Sequence, residues 1–575
     1  MAGVAAALWL LGLFAAAPAL RTDARYDFAD RLRDALFIGV AIPFGLGLVH
    51  LLYPVACWIV LAACIATAVY RVYAQGGAHQ PLRMQPYVLI AALVAVAWPQ
   101  LMRPLLDGDS LSYHLPNAAA WVQAHSLWTT ATSYWWYPPS SELFASALYA
   151  VSGPFALPWG GFGALALLGF RIHSWARAYR APARLADALA AATVTAYPLA
   201  IEAGTLQNDV WLAAFWLECL WLLQKRNSDG PAMRALAVTA LLKPQGWLLA
   251  AVALIASGAQ VKLALAPAGA VAIWILRDAS MWQSAAIAPA STVYGDPFGS
   301  TILAHGAPAF ALLVRVALAA SPFALLCLLG AFGGPLIARS RRAVGWAACA
   351  AAAIFFVLPF GYATSVAQLA TGASLRFASP AIAAGAVILG RPMRRFAAIA
   401  TALLLASTLF GLWQMLAVFW NDAPTRVAIV FAGYAVAIAA TTHLARVVWP
   451  NAVGFGVAVL AATYLAARHP LNYYDDALRV GGMPPGVYRW IETQRPAGVG
   501  GWGVRLGVVN VLSPSTGTID VADEAPCEQA RRERVLLVAV AQNDRPADAN
   551  ARRLAQARAC GRTLYDDPIG VVAQP

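Results

Sequence analysis

The sequence predicts an all-α polytopic membrane protein of roughly 14–16 spans with a small C-terminal soluble α/β domain. The first observation is composition: the 575 residues are 61% hydrophobic and only 12% charged. A soluble protein of this length would carry about 25% charged residues to form its polar shell. The second is a series of long apolar runs up to about residue 470, separated by short arginine-rich segments. The third is a change near His469, after which the long apolar runs end.

The formal charge of +13 indicates membrane topology rather than nucleic-acid binding, because the arginines are spread through the segments between apolar runs. The first run, Val4 to Leu20, is predicted to be a retained anchor or first span. It has no basic residues before it, and arginines follow it where a signal peptide would need small residues.

The arginine clusters also predict an orientation, since cytoplasmic loops are rich in Lys and Arg. Clusters lie at 21–33, 71–83, 171–184, 225–234, 339–342 and 391–395. If these are cytoplasmic, the outer segments are 103–141, 203–209, 277–305, 362–376 and everything after about 468. This parity requires 235–261 to be a hairpin of two short helices that is interrupted at Lys243-Pro244.

The predicted domains are 1–470, which spans the membrane, and 471–575, which is soluble and extracytoplasmic. In the second domain we expect strands at Val504–Val511, Val535–Val540 and Thr563–Val572, and a helix at Ala547–Ala559. Five of the seven cysteines lie in apolar runs. The other two, Cys527 and Cys560, lie in the soluble domain, where an oxidising compartment predicts a disulfide between them.

The first outer segment, about 103–141, holds the most informative residues. Asp107 and Asp109 flank a glycine and are followed by Tyr113, His114 and several tryptophans. Two carboxylates one residue apart suit a general base or a divalent cation with oxygen ligands. Alternatively, Asp109 caps a helix that starts at Ser110, and the tryptophans and tyrosines form an interfacial belt.

Three other outer positions carry charge. Asp209 follows Asn208 at the start of an apolar run, Lys243 interrupts the hairpin, and Arg376 begins a run from the outside. An intramembrane lysine is a functional candidate, and a guanidinium at headgroup depth can hold a phosphate by two hydrogen bonds. The alternatives are a helix cap for Asp209, an interfacial turn for Lys243 and snorkelling for Arg376.

Taken together, these segments resemble the polyprenyl-phosphate-dependent glycosyltransferases of the GT-C superfamily, which include protein O-mannosyltransferases and aminoarabinose transferases. The similar segments, in the family's order over about 100–390, are DSLSYHLP, YPPSSELF, TLQNDVWLAAF, LLKPQGWLL, VYGDPFGS and LRFASP. The resemblance implies a lipid-linked sugar donor, a catalytic acid at Asp109, an outer-loop acid at Asp209, and phosphate binding by Arg376 and Lys243. The sequence departs from the family in having Phe377 where tyrosine is commoner, and in several spans before the catalytic loop.

The resemblance implies a membrane glycosyltransferase of the bacterial inner membrane that moves a sugar from a polyprenyl phosphate to a glycan, lipid or protein acceptor, with inversion. Asp109 is the expected base and Asp107 its alternate. The expected substrate cavity is lined by Asp209, Asn208, Tyr113, His114, Glu142 and Trp136. Trp121, Trp135 and Trp136 are candidates for stacking on sugar rings or for interfacial anchoring. Asp109 and Arg376 should face one cavity with room for a sugar ring between them. Asp107, Asp109 and Asp209 could also hold a divalent cation, and the sequence does not decide whether one is needed.

Two other classes remain. A lipid-linked oligosaccharide transporter would also have many spans and an intramembrane lysine, but it would be expected to show paired repeats, and we see none in the sequence. An O-antigen ligase or polymerase would use a diphosphate-linked donor and have outer loops richer in arginine.

Overall fold

The computed structural model describes residues 2–20, 26–74, 86–101, 105, 107–225, 228–282, 301–338, 342–357, 373–419, 424–425, 427–433, 435, 482–542 and 546–575. The predicted domain boundary near 470 and the VYGDPFGS segment lie outside these residues. Up to residue 435, every regular element that the structure describes is helical, and a five-stranded sheet follows in 482–575. This confirms the predicted fold class.

Nineteen helices are described in the membrane part. They are α1 (Ala2–Ala16), α2 (Phe28–Leu48), α3 (Pro54–Ala74), α4 (Tyr87–Leu101), α5 (Leu115–Gln123), α6 (Ser140–Ser152), α7 (Trp159–Ala178), α8 (Ala183–Val194), α9 (Tyr197–Ala200), α10 (Asp209–Leu222), α11 (Asp229–Ala240), α12 (Pro244–Ser257), α13 (Leu265–Met281), α14 (Ile302–Ala320), α15 (Pro322–Phe332), α16 (Gly334–Ile337), α17 (Arg342–Val357), α18 (Ser379–Met393) and α19 (Ala397–Phe419).

Five helical segments within the described residues are long and apolar enough to cross a membrane. They are Ala2–Leu20, Pro54–Ala74, Val261–Met281, Ile302–Ala320 and Leu375–Val418. The last has 44 residues and contains α18 and α19, joined by a 3-10 turn at Arg394–Phe396. Four shorter apolar helices accompany them: α4, α12, α15 and α17. The chain is therefore an integral membrane protein by the length and composition of its helices.

The interruption at Lys243 has the predicted form. Helix α11 ends at Ala240, Lys243 adopts an extended backbone (φ −157°, ψ 161°), and α12 begins at Pro244. Proline suits the first turn of a helix because the amide hydrogen it lacks would have no partner there. The break exposes backbone carbonyl groups, and one of them, on Leu242, accepts a hydrogen bond from Asn208 Nδ2 at 2.7 Å.

Two of the arginines read as loop residues are instead buried within helices. Arg33 lies in α2 and Arg171 in α7, and both are at most 2% exposed. Asp30 Oδ1 lies 2.8 Å from a guanidinium nitrogen of each, and Arg171 also pairs with Glu218 of α10. Charges in an apolar interior need such partners, so these arginines join α2, α7 and α10 and are not loop markers.

The soluble domain is a mixed sheet with helices on both faces. Its strands are β1 (Gly498–Trp502), β2 (Gly517–Asp520), β3 (Leu536–Val540), β4 (Arg562–Asp567) and β5 (Gly570–Gln574), in the order β2-β1-β3-β5-β4. Its helices are α20 (Pro485–Gln494), α21 (Gly507–Leu512), α22 (Pro526–Arg532) and α23 (Ala547–Ala559). Strands β2, β1 and β3 are parallel, whereas β5 runs antiparallel to β3 and β4. Cys527 and Cys560 form a disulfide.

The predicted strand at Val504–Val511 is wrong, because those residues form a loop and helix α21. The strand lies earlier, in the glycine-rich segment Gly498–Trp502, which intrinsic preferences disfavour as a strand. Gly503 (φ 82°) then turns the chain out of the sheet. The last predicted strand is a hairpin of β4 and β5.

Candidate active site

Five ionisable side chains from four distant segments meet at one place. Arg376 Nη2 lies 2.7 Å from Asp109 Oδ2, and Arg376 Nε lies 3.7 Å from Glu202 Oε1 and 3.8 Å from Asp209 Oδ2. Lys243 Nζ donates to Asp209 Oδ1 at 2.6 Å. These residues, Asp109, Glu202, Asp209, Lys243 and Arg376, are called the ion cluster below. Helix caps, snorkelling and an interfacial turn do not account for such convergence.

Local structure explains how each member reaches the cluster. Asp109 precedes a π-helical turn, Ser110–His114, which continues into α5. Asp209 opens α10, and Lys243 stands in the break before α12. Arg376 lies on a 3-10 turn that leads into α18. Helix ends and irregular turns leave side chains free to converge, and π-helical turns are frequent at functional sites.

The direct Asp109–Arg376 contact overturns the expectation of a gap wide enough for a sugar ring. Asp109 and Arg376 attract each other because their charges are opposite and partly shielded from water. The Asp109 carboxylate therefore occupies one of the hydrogen-bonding positions in front of the guanidinium.

Helix capping in the first loop belongs to Asp107, not to Asp109. Asp107 Oδ1 accepts from the backbone N–H of Ser110 at 2.8 Å and from Gln207 Nε2 at 3.1 Å, whereas Asp109 makes no side-chain cap. Ser110 Oγ in turn accepts from the backbone N–H of Leu206 at 2.8 Å. Asp107 thus fastens the first outer loop to the second, and Asp109 remains available to Arg376.

Asp107 and Asp109 differ in the direction of their pKa shifts because their surroundings differ. Burial raises the pKa of Asp107. For Asp109, burial acts in the same direction, but the nearby Arg376 and His114 outweigh it and lower its pKa below the usual range. Asp109 is therefore ionised at neutral pH, as a proton acceptor must be.

Burial, followed by the neighbouring Asp209, raises the pKa of Glu202 well above its ordinary value. A protonated Glu202 can donate its proton in a hydrogen bond to Asp209. With Glu202 neutral, the cluster holds two carboxylates and two cations, so its charges balance. Glu202 is not among the site residues predicted from the sequence, although it begins the polar segment 202–209 that ends at Asp209.

His114 and Glu142 hold the first loop against α6 instead of lining an open cavity. Glu142 Oε1 lies 2.6 Å from His114 Nδ1, and both residues are at most 2% exposed. Ser141 Oγ donates to the other oxygen of Glu142 at 2.8 Å. Asn208 is likewise buried, with its amide bonded to the Leu242 carbonyl.

Tyr113 stays half-buried near the cluster. Its ring lies 4.5 Å from that of Tyr134 and 6.2 Å from that of Tyr137. Trp136 is also half-buried. These two candidates, Tyr113 and Trp136, are therefore partly accessible.

Trp121 and Trp135 cannot stack on a sugar, because they are at most 2% exposed. Arg277, which sequence reasoning did not single out, organises this part of the loop. Its guanidinium donates to the Leu127 carbonyl at 2.6 Å and to the Trp135 carbonyl at 2.8 Å, and it lies over the Trp135 ring. The signal in the sequence was an arginine in the apolar run 265–281.

Phe377, the departure from the family pattern, contacts both cations. Its ring centre lies 5.1 Å from Lys243 Nζ and 4.9 Å from the Arg376 guanidinium carbon. An aromatic face attracts cations through its electron density, so the ring helps to hold both in place.

A narrow cleft with an accessible volume of about 10 Å³, partly open to the exterior, lies beside the ion cluster. Asp209 and Gln245 form its polar part. Its remaining lining is apolar and comes from α10, α12, α17, α18 and the preceding turn: Leu212, Leu249, Ala351, Ile354, Phe377 and Pro380. Within the described residues, no three His, Cys, Asp or Glu side chains are grouped so as to hold a metal ion.

No protein-family model matches this sequence, and no protein of curated function matches it. Among solved structures, the chain is similar to ArnT from Cupriavidus metallidurans, in crystal structures bound to undecaprenyl phosphate and in the apo state. The identities are 15% and 16%, and the TM-scores are 0.45 and 0.44. Each alignment covers 84% of this chain, and 97% and 96% of the respective ArnT chains. Similarity at this level does not assign the chain to a family.

Proposed function

We propose that this protein is a membrane glycosyltransferase that moves a sugar from a polyprenyl-phosphate donor to an acceptor hydroxyl or amine at the outer face of the cytoplasmic membrane. The observation that supports it is the ion cluster beside the apolar cleft. Asp109 meets an arginine 267 residues further along the chain. An ionised acid beside an arginine and a lysine offers both a base and a phosphate-binding pair.

The reaction is a single displacement. Asp109 takes the proton from the acceptor hydroxyl or amine as the acceptor atom attacks the anomeric carbon. The bond between that carbon and the phosphate oxygen breaks, and its electron pair leaves with the polyprenyl phosphate. Attack opposite the leaving group inverts the anomeric centre. No covalent sugar–enzyme intermediate is required.

Arg376 changes partner in this scheme. In the free protein its guanidinium pairs with Asp109, and a donor phosphate, which is also anionic, competes for the same hydrogen-bond donors. When the phosphate takes the guanidinium, Asp109 loses the contact that lowers its pKa and becomes a stronger base. Donor binding therefore prepares the base for the acceptor.

The buried members of the ion cluster, Lys243, Asp209 and Glu202, keep its net charge low while Arg376 exchanges Asp109 for the phosphate. Lys243 neutralises Asp209, whose side chain is only 2% exposed. Burial and the neighbouring Asp209 raise the pKa of Glu202, which favours its neutral form and so limits the negative charge of the cluster. The arriving phosphate then meets a balanced cluster, without the like-charge repulsion that an ionised Glu202 would add.

The cleft suits the lipid part of the donor. Leucine, isoleucine, alanine and proline side chains line it next to the cluster. This apolar lining would give an isoprenoid chain contacts along α12, α17 and α18 while its phosphate reaches Arg376.

The direct test incubates the purified protein with a panel of polyprenyl-phosphate sugars and measures release of polyprenyl phosphate and labelling of added acceptors. Wild type should release it, and Arg376→Ala should not. Arg315→Ala, an exposed arginine of α14 outside the cluster, is the matched control and should retain activity. Use of only diphosphate-linked donors would indicate a ligase or polymerase. Movement of intact donor across vesicles without cleavage would indicate a transporter.

The orientation is tested separately with a reporter fused after Pro575. Positive-inside parity places residues 471–575 outside the cytoplasm. If a reporter that works only in the cytoplasm is active in this fusion, the placement is wrong.

A further inference from the structure

The loop that carries Asp109 inserts a side chain into the soluble domain. Leu111 lies in the first outer loop, two residues after Asp109, and is fully buried. Leu111 is a member of the soluble domain's own core, together with residues such as Val487, Leu506 and Val540.

The insertion is reciprocal. Val511 of α21, in the soluble domain, is 3% exposed and belongs to the apolar core of the membrane part. Each unit thus places one aliphatic side chain inside the other. Core side chains are closely packed, so this arrangement fixes the relative position of the two units better than a polar surface contact does.

Gly507 makes the approach possible. A Cβ atom at this position would lie 2.6 Å from both the Cα and the carbonyl oxygen of Leu111. Only glycine lets α21 approach the loop backbone this closely. Gly108, which separates Asp107 from Asp109 in the sequence, lies against the guanidinium of Arg505. A Cβ atom at Gly108 would be 3.3 Å from that group.

Hydrogen bonds extend the contact to both sides. Tyr149 Oη donates to the Asn510 carbonyl at 3.1 Å, and Gln123 Nε2 donates to the Pro514 carbonyl at 2.9 Å. The backbone N–H of Asp520 donates to the Ala131 carbonyl at 2.8 Å. The π-helical turn itself contacts the soluble domain through Leu111 and the second outer segment through the hydrogen bond that the Leu206 N–H donates to Ser110 Oγ.

From these contacts we infer that the soluble domain is a positioning element of the active site, and that Leu111 is the positioning residue through which it holds Asp109. This inference rests on the proposed function for its catalytic consequence. It follows from geometry that any shift of Leu111 moves a backbone only two residues from the base. A displacement of about 1 Å can cost on the order of a hundredfold in rate.

The test compares three leucine variants of the full chain. Leu111→Ala removes the inserted side chain, and Leu111→Met restores its volume. The matched control is Leu554→Ala, which removes the same atoms from a residue of α23 that is 4% exposed and packs on the opposite face of the sheet. Two quantities are measured: hydrogen exchange of the amides of 107–115 without ligand, and kcat and KM with the donor found active.

Leu111→Ala should speed exchange in 107–115 and lower kcat by at least about tenfold, while KM for the donor stays within about twofold. Leu111→Met should recover most of kcat, and Leu554→Ala should change neither quantity. Val511→Ala should also speed exchange in 107–115, which supports the docking if Leu111→Ala does not fold. Equal exchange and equal kcat in Leu111→Ala and Leu554→Ala overturn the inference. If wild type transfers no sugar, the proposed function fails, and the exchange comparison alone decides the positioning role.

Discussion

Replacing Asp109 with asparagine should change two measured quantities in opposite directions. The substitution removes the proposed base, and removal of a general base lowers the rate by about 10²–10⁴-fold. It also removes the carboxylate that faces Arg376 at 2.7 Å in the free protein. The donor phosphate then no longer competes for the guanidinium, so lipid binding should strengthen while transfer collapses.

The size of the gain in binding follows from the exposure of the pair. The side chains of Arg376 and Asp109 are 21% and 38% exposed, so solvent screens their attraction. Such partly exposed pairs contribute at most about 1 kcal/mol. Losing the competition should therefore tighten the binding of undecaprenyl phosphate by up to about fivefold.

Both quantities can be measured on one preparation, with transfer followed by release of polyprenyl phosphate and binding by titration with undecaprenyl phosphate alone. Asp107→Asn is the matched control, because an asparagine oxygen can still accept from Ser110. It should keep most of the activity and leave lipid binding unchanged. Wild-type transfer by a folded Asp109→Asn protein would remove Asp109 from the role of base. Weaker lipid binding in that variant would refute the exchange of partners at Arg376.

Three further predictions concern stability. Lys243→Ala leaves the buried Asp209 carboxylate without its lysine and should destabilise the protein by about 3–5 kcal/mol. The double variant with Asp209→Asn removes the unpaired charge, so it should regain part of the lost stability in thermal unfolding. Burial raises the pKa of Asp520 to about 7, so the stability that its protonated form contributes is full below about pH 4 and is lost as the pH rises through 7. The melting temperatures at pH 5 and pH 8 should therefore differ less in Asp520→Asn than in wild type. An equal difference in the two proteins contradicts the assignment. The Cys527–Cys560 disulfide closes a loop over a separation of 33 residues, so its reduction should lower the free energy of unfolding of the soluble domain by about 3–4 kcal/mol in denaturant unfolding. A loss below about 1 kcal/mol would show that the disulfide does not stabilise the domain by lowering the entropy of the unfolded chain.

Much of the fold is determined by local patterns that need no tertiary information. Apolar runs define helices that cross a membrane, and a proline after Lys243 ends one helix and starts the next. Alternating arginine and alanine define the helix Ala547–Ala559, which the structure has at the same residues. The strand Gly498–Trp502 was missed, because glycine carries no side-chain signal and its place in the sheet depends on what packs against it.

The sequence also singled out four of the five members of the ion cluster, since charged residues in apolar surroundings are rare. Their pairing was decided only by the tertiary structure. Asp109 and Arg376 are 267 residues apart, and no local pattern shows that one neutralises the other. The same holds for Glu202, whose role depends on Asp209 and Arg376 lying within a few ångströms.

The sequence by itself determined the class of the protein, the break at Lys243 and the residue types available for chemistry, because these depend on hydropathy and on backbone restrictions of neighbouring residues. The tertiary structure alone decided that Asp107 caps a helix while Asp109 faces an arginine, and that Leu111 belongs to the core of the C-terminal domain. Such contacts join segments far apart in the chain. Their energies depend on burial and distance, which exist only once the chain has folded.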